Sequence, residues 1–374
     1  MPAPAFSVAE RDYVRCGVDS DIRLDGRSRL DGRDFLLRTE CIVQANGSAR
    51  VRWTGISPDA AGAIAAADSD EMDIDSTNEH DNVGMNDDGD DMYGSISTGN
   101  AGGRQGGTDV LVGVKAEISD IQPGDPNPLL GSIVVNVDCA PNAAQDVESA
   151  CGIPDDSVNV AMTQALARVL CSPQQLQGSG IDLKALCVIP NKVRWVLHVD
   201  ALVLDYDGNL LDALTIAARA ALANTRLPKV IVASADGSED SDEVEYEVVD
   251  DPAASTPVAG WETVPVSVTL NLIGSHYVVD ASPAEEMCAD ARVAVSVNNK
   301  GNIAAVQKMG NATGIPPSVF ANMIQAAARI GRQRLTLLDR RISAAGKYHL
   351  RRSQMTADER AEAEKKEVNF MSVF

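Results

Sequence analysis

Asn46-Gly47-Ser48-Ala49-Arg50-Val51-Arg52, resumed at Gly107-Thr108-Asp109-Val110-Leu111-Val112-Gly113-Val114-Lys115-Ala116-Glu117-Ile118, is the stretch that decides how this chain folds. Both halves alternate apolar and polar side chains with the period of two that a strand needs when one of its faces is buried. They read as the arms of one β-hairpin whose turn has been opened by the segment 57–107. That segment holds twelve acidic residues against one base, Arg104, and is rich in Gly, Ser and Asn. It has too little apolar surface to offset the entropy of ordering its backbone, so the sequence predicts a disordered acidic insertion.

The charge pattern follows from that insertion. The 374 residues carry a formal net charge of −22. A second acidic stretch, 235–252, reads as a loop with nine acids and no base, and the two segments together hold −20 of the total. The remaining body is near neutral, so basic surfaces on it are not excluded. The Asp clusters in 57–107 lack the central Gly and terminal Glu of a calcium loop, and no metal site is expected. Seven cysteines without a CxxC pair read as reduced thiols rather than a disulfide frame or zinc site. No apolar run approaches membrane-spanning length and no signal core opens the chain, which reads as a soluble intracellular protein with no membrane partner. Without a GxxxxGK[ST] loop or a GxSxG turn, the nucleotide-hydrolase and α/β-hydrolase classes have no support.

Outward from the hairpin, residues 8–20 suit a short amphipathic helix. Two Asp-Gly-Arg tripeptides at 25–27 and 31–33 carry turn chemistry, and Asn46-Gly47 suits a tight turn between strands Phe35–Val43 and Ala49–Trp53. Strands are predicted at 131–138 and 192–205, and helices at 158–170 and 211–224, the latter lined by small residues that allow close packing on a sheet. The second half adds strands at 230–233, 264–273 and 276–279, and a hairpin of 292–297 with 302–308. Pro316 and Pro317 then open a helix running to about Ile342, basic on one side through Arg329, Arg332, Arg334, Arg340 and Arg341. The order predicts an α+β fold of two similar lobes, 1–228 and 229–352, with a charged tail at 353–374. His198 and His276 read as satisfied strand residues, and Trp53 and Trp195 as packing groups.

Several segments resemble, in order, the RNase PH-type ring subunits of the RNA exosome. Arg23-Leu24-Asp25-Gly26-Arg27 resembles the family's N-terminal signature. The opened hairpin follows, then Val137-Asp138-Cys139 where these proteins place a central strand. Asp207-Gly208-Asn209-Leu210-Leu211-Asp212-Ala213 is similar to their strand–turn–helix junction, and Tyr277-Val278-Val279-Asp280 leading to Glu285-Glu286 fits the second lobe. The resemblance implies the RNase PH fold, two α/β lobes of a kind first named in a ribosomal protein. It implies three pairs of such subunits closing a ring around an RNA channel, RNA-binding cap subunits on one face, and a separate hydrolytic nuclease on the other. It also implies a place in the nucleus and nucleolus as well as the cytoplasm.

The same resemblance bears on catalysis. Phosphorolysis needs arginines to hold phosphate and a carboxylate near the scissile bond. Active relatives carry arginines just before the helix that here starts near Ser157, but no Lys or Arg occurs between Lys115 and Arg168. Asp146-Val147-Glu148-Ser149-Ala150-Cys151-Gly152 and Asp155-Asp156 stand there instead. Two aspartates six residues apart in the second lobe of active members correspond here to Glu286 and Arg292. The expectation is a non-catalytic scaffold with no cofactor, and with Arg50 and Lys115, flanking the opened hairpin, as candidate RNA contacts. The competing readings are an active phosphate-dependent 3′–5′ exoribonuclease and an acidic adaptor protein.

Overall fold

The computed structural model describes residues 7–54, 107–122, 124–125, 127–151, 155–171, 180–232, 246–249, 251, 254–310 and 313–354. The expected disordered insertion 57–107 lies outside the described residues except for its last one, and the tail 353–374 does so beyond Gln354.

Strands β1 (Asp34–Thr39), β2 (Gly47–Thr54) and β3 (Asp109–Asp120) pair antiparallel in succession, with Arg52 opposite Asp109 and Gly47 opposite Val114. The hairpin across 57–107 therefore forms in the register that the alternation requires: Ala49, Val51, Trp53, Val110, Val112 and Val114 all point into the core. β6 (Val193–Asp205) pairs antiparallel with β3, and β5 (Cys187–Ile189) folds back on the start of β6.

β4 (Ser132–Cys139) pairs parallel with β6 and ends the sheet, whose order is β1-β2-β3-β6-β4. Val137–Cys139 is thus at an edge, where a central strand was expected. A parallel partner must be reached by a crossover, and helices α2 (Pro141–Cys151) and α3 (Asp155–Leu170) supply it.

The Asn46-Gly47 pair is not a tight turn. β1 ends at Thr39, Glu40 takes a left-handed conformation at φ 57°, and residues 40–46 make a longer connection. Gly47 is needed for a close approach instead: a Cβ there would sit 2.4 Å from Thr225 Oγ1 and 2.6 Å from the Ala221 carbonyl. Asn46 joins the same contact, its side-chain oxygen accepting from the Ala116 amide at 2.9 Å and its carbonyl from the Arg226 amide at 3.0 Å.

Helix α4 (Leu210–Asn224) is buried on every side from Leu210 to Leu222. Six alanines among its fifteen residues let two sheets close on it at short range. β2 and β3 cover one side of it. On the other lies β11 (Val266–Ile273) of a second sheet, ordered β12 (His276–Val279), β11, β13 (Ala291–Val297), β14 (Ile303–Met309). Every residue of β11 is buried. Val268 and Leu270 meet Met323, Ala327 and Ile330 of the last helix, α6 (Pro317–Gln354), while Thr269 turns toward α4, its hydroxyl donating to Asp212 at 2.7 Å.

Three further expectations are corrected. Helix α1 (Val8–Asp19), which the 1–228 boundary groups with the first lobe, packs Val14 and Val18 on Ile273, Val278 and Ala281 of the second. The stretch 235–252 is not loop throughout, because β9 (Tyr246–Val248) pairs with β8 (Val230–Val232); β7 (Arg226–Leu227) pairs likewise with β10 (Thr256–Pro257). The last helix passes Ile342, and two of its arginines turn inward. Arg334 is buried against Asp212, and Arg341 holds both oxygens of Asp34 at 2.7 and 2.9 Å.

Candidate functional site

The seam between the lobes is built around one carboxylate. Asp280 directly follows β12 at φ 52° and is fully buried. Arg33 donates to it three times, from its amide at 2.7 Å, Nε at 3.0 Å and Nη2 at 2.8 Å, and Arg27 Nη1 adds a contact at 2.8 Å. The side-chain amide of Asn209 donates to Asp280 at 2.9 Å and to Asp212 at 3.0 Å. Arg23 forms a bidentate pair with Glu285 at 2.8 and 2.6 Å and donates to the carbonyls of Val279 and Asp280. Both Asp-Gly-Arg turns thus deliver their arginines to the second lobe. Burial by itself raises the pKa of Asp280, but the charge and hydrogen bonds of Arg33, with the charge of Arg27, outweigh it and hold the carboxyl well below the usual carboxylate range.

Beside this hub a cleft opens between the first lobe, through Val147 of α2, Met162 of α3 and Tyr206, and the second, through Glu286 and Arg292. Glu286 lies on helix α5 (Pro283–Cys288), whose start is held by the Glu285 side chain accepting from the Ser282 amide at 2.9 Å. The expected degenerate positions meet each other: Arg292 Nη2 is 3.2 Å from Glu286 Oε2, with side chains 11% and 2% exposed. The Tyr206 hydroxyl donates to the same carboxylate, and the Asn209 amide donates to its other oxygen at 2.9 Å. Arg292 Nε donates to the Asn271 side chain at 2.9 Å. Glu286 and Arg292 are thereby satisfied from within. Across the cleft the acidic run 146–148 is helical, with Val147 buried and Asp146 and Glu148 exposed.

The other two expected site residues lie apart from this cleft, on the outer face of the first sheet. Arg50 grips Asp109 in a bidentate pair at 2.9 and 2.6 Å, and Lys115 pairs with Glu117. Arg50 lies opposite Leu111, so Lys115 stands four residues, about 13 Å, further along β3. Each cation has a carboxylate, and the structure does not gather them into one patch. His198 is 3.7 Å from Glu117 and His276 is 2.9 Å from Asp19. Trp53 packs edge-on to Phe35 with ring centres 5.7 Å apart, as a core residue does.

Sequence reasoning missed the hub of Asp280, Asn209 and Asp212. A local signal existed in the Asp207-Gly208-Asn209 turn, but nothing near it in the chain named its partners. The two-lobed fold is that of one family. Models of the 3′ exoribonuclease family match residues 92–228 as its domain 1 and 263–330 as its domain 2. The chain belongs to the RNase PH family.

Within that family it is 30% identical to the putative exosome complex exonuclease RRP42 of Dictyostelium discoideum, over 90% of this chain and 97% of that protein. It is 37% identical to the exosome complex component Rrp42 of Pyrococcus furiosus, over 54% of this chain and 66% of the archaeal one. Among solved structures, a chain of an archaeal exosome core superposes with a TM-score of 0.56 at 24% identity, covering 88% of this chain and 96% of the other. A chain of the Archaeoglobus fulgidus exosome with RNA bound to the active site gives the same TM-score and identity, covering 87% and 96%. These two agree with this RNase PH chain in fold.

Proposed function

We propose that this chain is a non-catalytic ring subunit of an RNA exosome, supporting 3′-to-5′ RNA processing and degradation, including maturation of ribosomal RNA, by completing the channel and binding its neighbours. The observation that carries the reading is the Glu286–Arg292 pair. A site for phosphorolysis must present unpaired positive groups to phosphate and a carboxylate to the reacting end. Here the cation that lines the cleft is taken up by the glutamate, and the facing helix α2 brings Val147 to the cleft and no cation. The likeness to an exosome protein along 97% of that protein's length supports the ring assignment. Its partners are then other RNase PH-type subunits, RNA-binding cap subunits and a separate hydrolytic nuclease. The proposed location is the nucleus and nucleolus, with a cytoplasmic share.

Two measurements test this. Incubated with RNA and orthophosphate, the purified chain is expected to release no nucleoside diphosphate; release above a no-protein blank sinks the non-catalytic reading. Co-expressed with RNase PH-type paralogues from the same cell, it is expected to co-purify in a hetero-oligomer whose mass fits a ring. A monomer in their presence sinks the ring reading.

A further inference from the structure

Helix α6 carries two different arginine faces. Arg334 and Arg341 turn inward to Asp212 and Asp34. Arg329, Arg332, Arg340 and Lys347 are exposed. Their spacings of three, eight and seven residues return them to nearly the same side of a helix that turns about 100° per residue, along a stripe about 27 Å long. Thr336 and Ser343 fall between them on that stripe, each hydroxyl donating to its own helix backbone at 3.0 and 2.8 Å. Arg332 lies over the β13–β14 turn, where a Cβ on Gly301 would come within 2.5 Å of its Nε, and the neighbouring Lys300 is exposed. None of these five cations forms an ion pair among the described residues. The acid beside the stripe, Asp339, is held by Arg219 at 2.8 Å.

Exposed cations on helices gain from acids one turn away, yet this stripe has none of its own, in a chain with 54 acids and 32 bases. We infer that the outer stripe of α6, continued by Lys300, is a binding surface for the phosphate backbone of single-stranded RNA. A straight row of cations suits a linear polyanion, and guanidinium groups suit phosphate. The stripe holds no aromatic residue for bases to stack on, so the surface reads backbone and not sequence. It runs from the second lobe, where Ile330 packs on β11, to the edge of the first, where Arg341 holds Asp34, and none of its cations lines the Glu286–Arg292 cleft; an RNA partner rests on the RNA-processing reading above.

The test is equilibrium binding of a fluorescein-labelled oligouridine to the full chain, followed by anisotropy over a range of salt. The wild type is expected to bind, and R329E/R340E/K347E to bind at least about tenfold more weakly, its log–log salt slope flatter by roughly 0.7 for each phosphate no longer neutralised. The neutral triple variant R329Q/R340Q/K347Q is expected to fall between them, with an unchanged circular dichroism melt. No binding by the wild type, or binding indifferent to both variants, overturns the inference. So does capture of a synthetic 57–107 peptide at the stripe with no uptake of RNA. Because the assay needs neither assembly nor turnover, a chain that binds RNA here but fails to join a ring sinks the ring reading alone.

Discussion

Replacing Asp280 by Ala is expected to destabilise the fold by about 3–5 kcal/mol, enough to unfold a marginal domain. The carboxylate is the common acceptor for Arg33, Arg27 and Asn209, from segments far apart in sequence. Its removal takes from Arg33 and Arg27 their fully buried counter-charge and leaves each only a partly exposed carboxylate, Asp207 and Asp25, which costs more than the pair itself contributed. D280N separates charge from shape, since it keeps the volume and loses the charge. Both variants are read by urea denaturation, and a loss below about 1 kcal/mol in D280A would refute the hub.

The pH dependence supplies a second arm of the same test. The folded-state pKa of Asp280 is depressed, so its contribution is fully present above the unfolded value of about 3.9 and is lost as pH falls below that, toward the folded one. The gap in stability between wild type and D280N is expected to be constant from neutral pH down to about 5. Below about 4 it should narrow by up to about 1.4 kcal/mol per pH unit. A gap that widens with acid would show that the sign is wrong.

Gly208→Ala is expected to cost about 3 kcal/mol. The residue sits at φ 83°, and a Cβ there would lie 2.2 Å from the Ala281 carbonyl oxygen and 3.1 Å from the Ser282 carbonyl carbon. The obstacle is backbone, which cannot swing away as a long side chain can. A left-handed conformation costs an L-residue about 1–2 kcal/mol, and overpacking adds about 1–3. The strain falls where the lobes touch: the Gly208 carbonyl accepts from the Thr108 hydroxyl at 2.6 Å, and the next amide holds Glu286. A thermal unfolding midpoint unchanged from wild type would show that the seam has slack that the structure lacks.

Much of the fold is legible in neighbouring residues. The alternation in Ala49–Trp53 and Val110–Val114 states which side chains are buried, and a β-hairpin is the simplest way to bury them together, so the insertion could be set aside. The alanine spacing of 210–224 states that a helix packs closely. Where reading failed, one residue served a purpose set from afar. Gly47 is explained by Thr225 and Ala221 and not by a turn, and the Asp-Gly-Arg arginines by Asp280 and Glu285. At the cleft, the lack of cations between Lys115 and Arg168 was visible by inspection, but the closure of Glu286 on Arg292 was not.

By itself, then, the sequence determined the arms of the hairpin that spans 57–107, the helices near 158–170 and 211–224, and the lack of any Lys or Arg between Lys115 and Arg168, because periodicity and charge are properties of adjacent residues; helices α2 and α5 were not read from it. Only the tertiary structure decided that β4 lies at the edge, that Asp280 gathers arginines from both turns, and that α6 turns two arginines inward and four cations outward. A buried charge takes whichever partner the folded chain brings within reach, and that choice rests on the burial of both lobes against α4, which no local stretch encodes.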